Sequence, residues 1–162
     1  QGTLRENLLI GMADPGDDAI NAVMQKTGMD RLVAAHPKGL ERLISEGGKG
    51  LSGGQKQLVA FTRLILLTPG ILLLDEPTAT MDDSQERQCL EVLQAEAAQN
   101  KTMVIVTHKP SLLPLVTRLI VMAGSRIVLD GPRDEVLHKL RNPQPQSQPQ
   151  STPQTAEKAV AA

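Results

Sequence analysis

The chain has 162 residues, with 17 Lys and Arg against 18 Asp and Glu, a net charge of -1 and 40% hydrophobic residues. That is apolar enough for a core, too balanced in charge for a broadly basic nucleic-acid surface, and free of any apolar run long enough to span a membrane. One Phe, no Tyr and no Trp argue against base-stacking platforms, and the single Cys excludes an internal disulfide framework.

The sequence opens at Gln1 with no charged-then-apolar leader, and it reads as a piece of a longer chain. Thr3-Leu4-Arg5-Glu6 is a capping-box pattern, in which the Thr hydroxyl and the Glu carboxylate satisfy each other's backbone donors and start a helix. Asp17 precedes a second helix with Ile20, Val23 and Met24 on one face, closed by Gly28. A third short helix is expected over 30–35, because Pro37 forces the chain out of helical geometry. Leu51-Ser52-Gly53-Gly54-Gln55 then precedes a helix running to about Leu67, with Ser52 as its cap. Two glycines there let a phosphate approach the free N–H groups and the positive end of the helix dipole. Taken alone, a loop of this kind is ordinarily just a structural turn.

From Gly70 strands and helices alternate. The unbroken apolar run 71–74 predicts a strand buried on both faces of a parallel sheet. A helix follows from about Asp83 to Gln99, with Cys89, Leu90, Leu93 and Ala97 as its inner stripe, which makes Cys89 a packed core thiol. A second strand is expected at 103–106, and two more at 118–122 and 126–129, joined by a turn at Ala123-Gly124-Ser125. Strand, helix, strand in this order predicts a parallel crossover. Pro132 opens a last helix that ends at Leu140. From Asn142 the composition turns to Pro, Gln, Ser and Thr with nothing to bury, so 142–162 is expected to be a disordered tail. The organisation is therefore a helical subdomain over 1–69, an α/β part over 70–141, and the tail.

In open parallel sheets ligands bind beyond the carboxyl ends of the strands. The first parallel strand runs into Asp75-Glu76-Pro77-Thr78 and the second into Thr107-His108, so two carboxylates and an imidazole should share one edge. That is the outline of a hydrolytic site. A lone His108 would be an ordinary loop histidine; its position at a strand end matching that of Asp75 reverses the preference. Gly48-Lys49-Gly50-Leu51-Ser52-Gly53 fits a dinucleotide-binding fingerprint, but 40–46 is too charged and irregular to be the buried strand such a fingerprint requires.

Leu51-Ser52-Gly53-Gly54-Gln55, then ILLLDEPT at 71–78, then Ala79-Thr80-Met81-Asp82, then Val106-Thr107-His108 resemble ATP-binding-cassette (ABC) ATPases. In order they look like the signature sequence, the Walker B strand with its catalytic Glu, the D-loop and the switch-histidine loop. The resemblance extends from Gly2 to about Leu140. It implies an α/β, P-loop NTPase-like ABC ATPase fragment, a helical subdomain followed by a parallel-sheet core lacking its N-terminal strands, with 70–141 as the C-terminal half of that core. By the same resemblance Asp75 would hold Mg²⁺, Glu76 would act as general base, and His108 would contact the γ-phosphate of ATP. Ser52, Gly53, Gly54 and Gln55 would offer donors to ATP held by a second, head-to-tail nucleotide-binding domain, and Asp82 would couple the two sites. Phosphoryl transfer consists mostly of positioning and charge stabilisation, which these residue types provide.

The chain departs from the family in one respect that matters. No G-x-x-x-x-G-K-[ST] occurs in it, so the phosphate cradle of Walker A is missing and the chain alone is expected to be inactive. Gly2-Thr3-Leu4-Arg5-Glu6-Asn7 and Ser45-Glu46-Gly47-Gly48-Lys49-Gly50 resemble exporter segments. With Ala35-His36-Pro37-Lys38-Gly39-Leu40 they look most like bacterial type I secretion exporters. This implies a transmembrane-domain partner, a periplasmic adaptor and an outer-membrane channel, no nucleic acid, and a place at the cytoplasmic face of the bacterial inner membrane. The alternatives are a non-transport ABC ATPase of DNA repair or translation, disfavoured by the lack of a coiled-coil insertion or basic patch between Gln55 and Asp75, and an inactive gene fragment.

Overall fold

The computed structural model describes residues 1–142, so the tail expected from Asn142 lies, apart from that residue, outside the described residues. The chain divides into two compact units, Gln1–Val116 and a second that begins at Thr117.

The first unit opens with β1 (Gly2–Thr3) and α1 (Leu4–Leu8). The Thr3 hydroxyl accepts the Glu6 N–H at 3.1 Å and the Glu6 carboxylate accepts the Thr3 N–H at 2.7 Å, completing the capping box. β1 pairs antiparallel with β2 (Leu43–Ile44). Between them lie α2 (Asp17–Thr27) and α3 (Met29–Ala34), joined at Gly28 in the left-handed region at φ 77°. The positive φ favours glycine there, and a Cβ would also displace the tip of the Gln88 side chain.

α4 (Gly53–Leu66) runs through the middle of this unit and contributes to two cores. Leu58 and Val59 pack with Leu4, Leu8, Ile20, Met24, Met29, Leu32 and Ile44. Phe61 and Ile65 pack on Leu72 and Leu74 of β3 (Ile71–Asp75), and on Cys89, Val92 and Leu93 of α5 (Asp83–Ala97). Where the two cores meet, the buried hydroxyls of Thr27 and Thr62 lie 2.9 Å apart, and Thr62 also donates to the Leu58 carbonyl. Such polar atoms are tolerated inside because each is hydrogen-bonded.

β3 pairs parallel with β4 (Thr102–Val106), in register from Ile71 opposite Thr102 to Asp75 opposite Val106. The sequence predicts burial on both faces, and here the structure differs. Leu72 and Leu74 are buried, whereas Ile71 is 62% exposed and Leu73 73%. Val104 and Val106 of β4 are exposed on the same face. Side chains alternate across a strand, and α4 and α5 cover the face of residues 72 and 74. Among the described residues nothing covers the other.

The second unit is a hairpin and a helix. β5 (Arg118–Ala123) and β6 (Arg126–Pro132) pair antiparallel around Gly124-Ser125, both with positive φ as a type I′ turn demands. Arg118 grips Asp130 across the pair through two hydrogen bonds of 2.8 and 2.7 Å. α6 (Arg133–Arg141) buries Val136, whose methyl would lie 3.7 Å from a Cβ at Gly131 of β6. Pro132 is the residue before this helix rather than its first turn. No helix among the described residues is long and apolar enough to cross a membrane.

Candidate functional site

The carboxyl edge of the β3–β4 pair carries Asp75, Glu76 and His108. Asp75 ends β3 on the exposed face, beside Val106. Glu76 then turns the chain with φ 44°, a left-handed conformation uncommon for any residue with a side chain. Its N–H donates to the Val106 carbonyl at 2.9 Å, which carries the parallel ladder one step past the strand. The Glu76 carboxylate is held at both oxygens. Oε1 accepts the His108 N–H at 2.9 Å, and Oε2 accepts the Thr107 hydroxyl at 3.3 Å. The His108 ring is fully exposed, with Nε2 3.8 Å from Glu76 Oε1. Glu76 and His108 are thus brought together, and the imidazole stays free to reach outward.

The Gly-rich loop is built by a second capping box. The Ser52 hydroxyl accepts the Gln55 N–H at 3.2 Å, and the Gln55 side chain accepts the Ser52 N–H at 3.0 Å. Two of the backbone donors at this helix start are therefore used internally. The Ser52 hydroxyl proton and the N–H groups of Gly53 and Gly54 are what the loop can present to an anion. Gly54 is buried against the following loop: a Cβ there would sit 2.7 Å from the Thr80 carbonyl. Asp82 caps α5 through a 2.8 Å bond from the Gln85 N–H. Gln55 and Asp82 line one open groove with Gly28, Arg31, Gln85 and Gln88.

Two residues escape sequence reasoning. Gln57, inside α4, donates to the Glu76 carbonyl at 2.6 Å and accepts from the Thr80 N–H and hydroxyl at 3.0 and 2.8 Å. Lys109 donates its ammonium to the Thr78 carbonyl at 2.8 Å and to Glu86 of α5 at 2.5 Å. The Lys109 bond first, then one from Ser111, holds the Glu86 carboxyl below its ordinary value of 4.5, against a smaller opposing effect of burial. Burial, with the Glu86 charge adding to it, pushes the Cys89 thiol up to about 12. The only available signal was spacing: Gln57 lies one helical turn beyond Gly53, on the helix that the Gly-rich loop opens.

The donor set bears on a metal. Among the described residues no three His, Cys, Asp or Glu side chains converge as a cage. Mg²⁺ needs none, since it is commonly held by one or two carboxylates together with substrate phosphates and water. An exposed carboxylate at Asp75 fits an ion that arrives with a nucleotide.

The family model described as ABC transporter matches residues 1–79. The chain is 34% identical over 138 residues to the glutathione/L-cysteine transport system ATP-binding/permease protein CydC of Haemophilus influenzae, covering 85% of this chain and 24% of that protein. It is 36% identical over 135 residues to the ATP-dependent lipid A-core flippase of Neisseria gonorrhoeae, covering 83% of this chain and 22% of the relative. The solved structure of a bacterial Atm1-family ABC exporter with ATP bound superposes with a TM-score of 0.76 at 27% identity, over 85% of this chain and 24% of that one. The chain thus spans about a quarter of the length of these relatives.

Proposed function

We propose, because the chain belongs to the ABC transporter family, that it supplies one edge of an ATP-hydrolysing site that powers export across a membrane. The supporting observation is the Glu76 carboxylate, fixed at both oxygens by His108 N–H and the Thr107 hydroxyl beside an exposed imidazole. A carboxylate so held keeps its outward lone pairs free to take a proton from water, as general-base catalysis requires. Glu76 is then the base, and His108 swings to the γ-phosphate. Asp75 would hold Mg²⁺, which when bound would neutralise phosphate charge. The Ser52 hydroxyl and the N–H groups of Gly53 and Gly54, with Gln55 beside them, face ATP on a second nucleotide-binding domain, and Asp82 lies between the two sites.

The partners in this reading are that second domain and a transmembrane domain, at the cytoplasmic side of the membrane. The narrower assignment to type I protein secretion, at the bacterial inner membrane with an adaptor and an outer-membrane channel, rests on the loops 35–40 and 45–50. The relatives are named for glutathione, L-cysteine and lipid A-core instead. By itself the chain carries no G-x-x-x-x-G-K-[ST], so it should bind ATP very weakly.

The experiment has two arms. Calorimetry of Mg-ATP on the chain alone should show no tight binding, and micromolar affinity would contradict the missing cradle. In the complete ATPase, Asp75→Asn should weaken Mg²⁺-dependent nucleotide binding as well as turnover. Unchanged Mg²⁺-ATP affinity would remove Asp75 from the metal site.

A further inference from the structure

Glu76 is the base of the reading above, and this inference rests on that reading. A base on a left-handed residue needs something to keep it there, since such conformations persist only where the surroundings over-determine them. Five groups restrain Glu76, one of them the local turn bond from the Ala79 N–H to the Glu76 carbonyl at 3.2 Å. Three of them come from a single segment at the end of β4: the Val106 carbonyl, the Thr107 hydroxyl and the His108 N–H. The fifth comes from a different element. Gln57 of α4 donates its Nε2 to the Glu76 carbonyl at 2.6 Å, and this contact ties the far side of the turn.

The orientation of the Gln57 carboxamide is dictated by its partners. The Glu76 carbonyl can only accept, so the amide nitrogen must face it. The Thr80 N–H can only donate, so Oε1 must face that side. Oε1 also takes the Thr80 hydroxyl. One neutral group therefore closes the segment from Glu76 to Thr80 at both ends, with the buried Pro77 and Thr78 between them. Glutamate would keep the acceptor and lose the donor; alanine would lose both. The close approach is prepared by Gly54, whose missing side chain lets α4 come within contact of the Thr80 carbonyl.

We infer that Gln57 is a positioning residue for ATP hydrolysis: its carboxamide bridges the Glu76 carbonyl and Thr80, and thereby sets the direction of the Glu76 carboxylate. Both ends of its carboxamide are taken up by the segment from Glu76 to Thr80. Its removal should cost catalysis through misplacement of the base and leave nucleotide binding alone.

The test compares Gln57→Ala, Gln57→Glu and Glu76→Gln in the complete ATPase that carries this chain, by steady-state phosphate release against ATP concentration. For both Gln57 variants kcat should fall about ten- to a hundredfold, the scale of a base displaced by about an ångström, with the KM for ATP within about threefold of wild type. Amide exchange at Thr80 should accelerate in Gln57→Ala and not in Glu76→Gln. If both Gln57 variants keep kcat within about twofold while Glu76→Gln loses turnover, the inference is wrong and the base assignment stands. If KM rises in step with the fall in kcat, Gln57 is merely structural and the inference is also overturned. If Glu76→Gln itself keeps wild-type turnover, the underlying reading fails first.

Discussion

The helical layer and the sheet layer of the first unit solve the same problem differently. In the helical layer Leu4, Leu8, Ile20, Met24 and Met29 are almost wholly buried among themselves and α4. Each helix spends one stripe on the core and exposes the rest, so the layer is closed by its own elements. In the sheet layer the same apolar chemistry is split. Leu72 and Leu74 are inside, while Ile71, Leu73, Val104 and Val106 form an apolar strip in the open. A contiguous exposed patch of this kind marks a surface that associates. The face that stabilises the fold and the face left open among the described residues are thus separated by one residue along the strand.

That separation can be broken directly. Leu72→Ala should cost about 2–5 kcal/mol, as should Leu8→Ala in the helical layer, because each leaves a cavity in a packed core. Leu73→Ala, next in sequence, should fall within about 0.5 kcal/mol of wild type. Urea unfolding of the three variants measures this, and equal losses at residues 72 and 73 would contradict the one-sided sheet. Replacing Leu73 and Val104 together by Lys should reduce self-association in sedimentation. Unchanged oligomer content would show that the strip is not the adhesive surface.

Smaller effects sharpen the picture at the edge where α5 meets the loop after β4. The native Glu86 carboxyl titrates below its ordinary value of 4.5 because Lys109 and Ser111 hydrogen-bond its charged form. The unfolded chain therefore takes up this proton more readily. The contribution of Glu86 is complete above the ordinary value and disappears as pH falls below it through the lowered native one. Glu86→Gln should cost about 1 kcal/mol at neutral pH and flatten the acid side of the stability curve. A curve of unchanged slope would remove Glu86 from the acid response. The least effect is expected at Cys89. With its thiol pushed up to about 12 inside the core, it should resist thiol reagents at pH 8 until the protein unfolds. Rapid labelling of the native state would contradict that packing.

What the sequence made legible was whatever local chemistry or period decides. The capping box of Thr3 with Glu6 forms as read, and Ser52 caps its helix as read, with Gln55 completing a second box from three residues on. The β3–β4 pair follows from two apolar runs flanking a helix, and their parallel register places Glu76 against His108. What stayed hidden depends on approach in space. A run of Ile71-Leu72-Leu73-Leu74 states that both faces are apolar, not which one is covered. Gln57 carries no pattern of its own, since its partners are 19 and 23 residues away. The left-handed turn at Glu76 could not be read either, because glutamate has no preference for it and tertiary hydrogen bonds impose it. Likewise Ser52, Gly53, Gly54 and Gln55 read as four anion donors in sequence, yet the capping box takes up the N–H groups of Ser52 and Gln55.

The central claim is that Glu76 is the base of an ATP-hydrolysing site. Glu76→Gln keeps the shape of the side chain and an oxygen to accept the His108 N–H, but removes its basicity. The deciding measurement is phosphate release by this variant in the complete ATPase, taken with its ATP affinity. The account expects turnover to fall by about 10²–10⁴ with ATP still bound, the size of a lost general base. Near wild-type turnover in Glu76→Gln would contradict it.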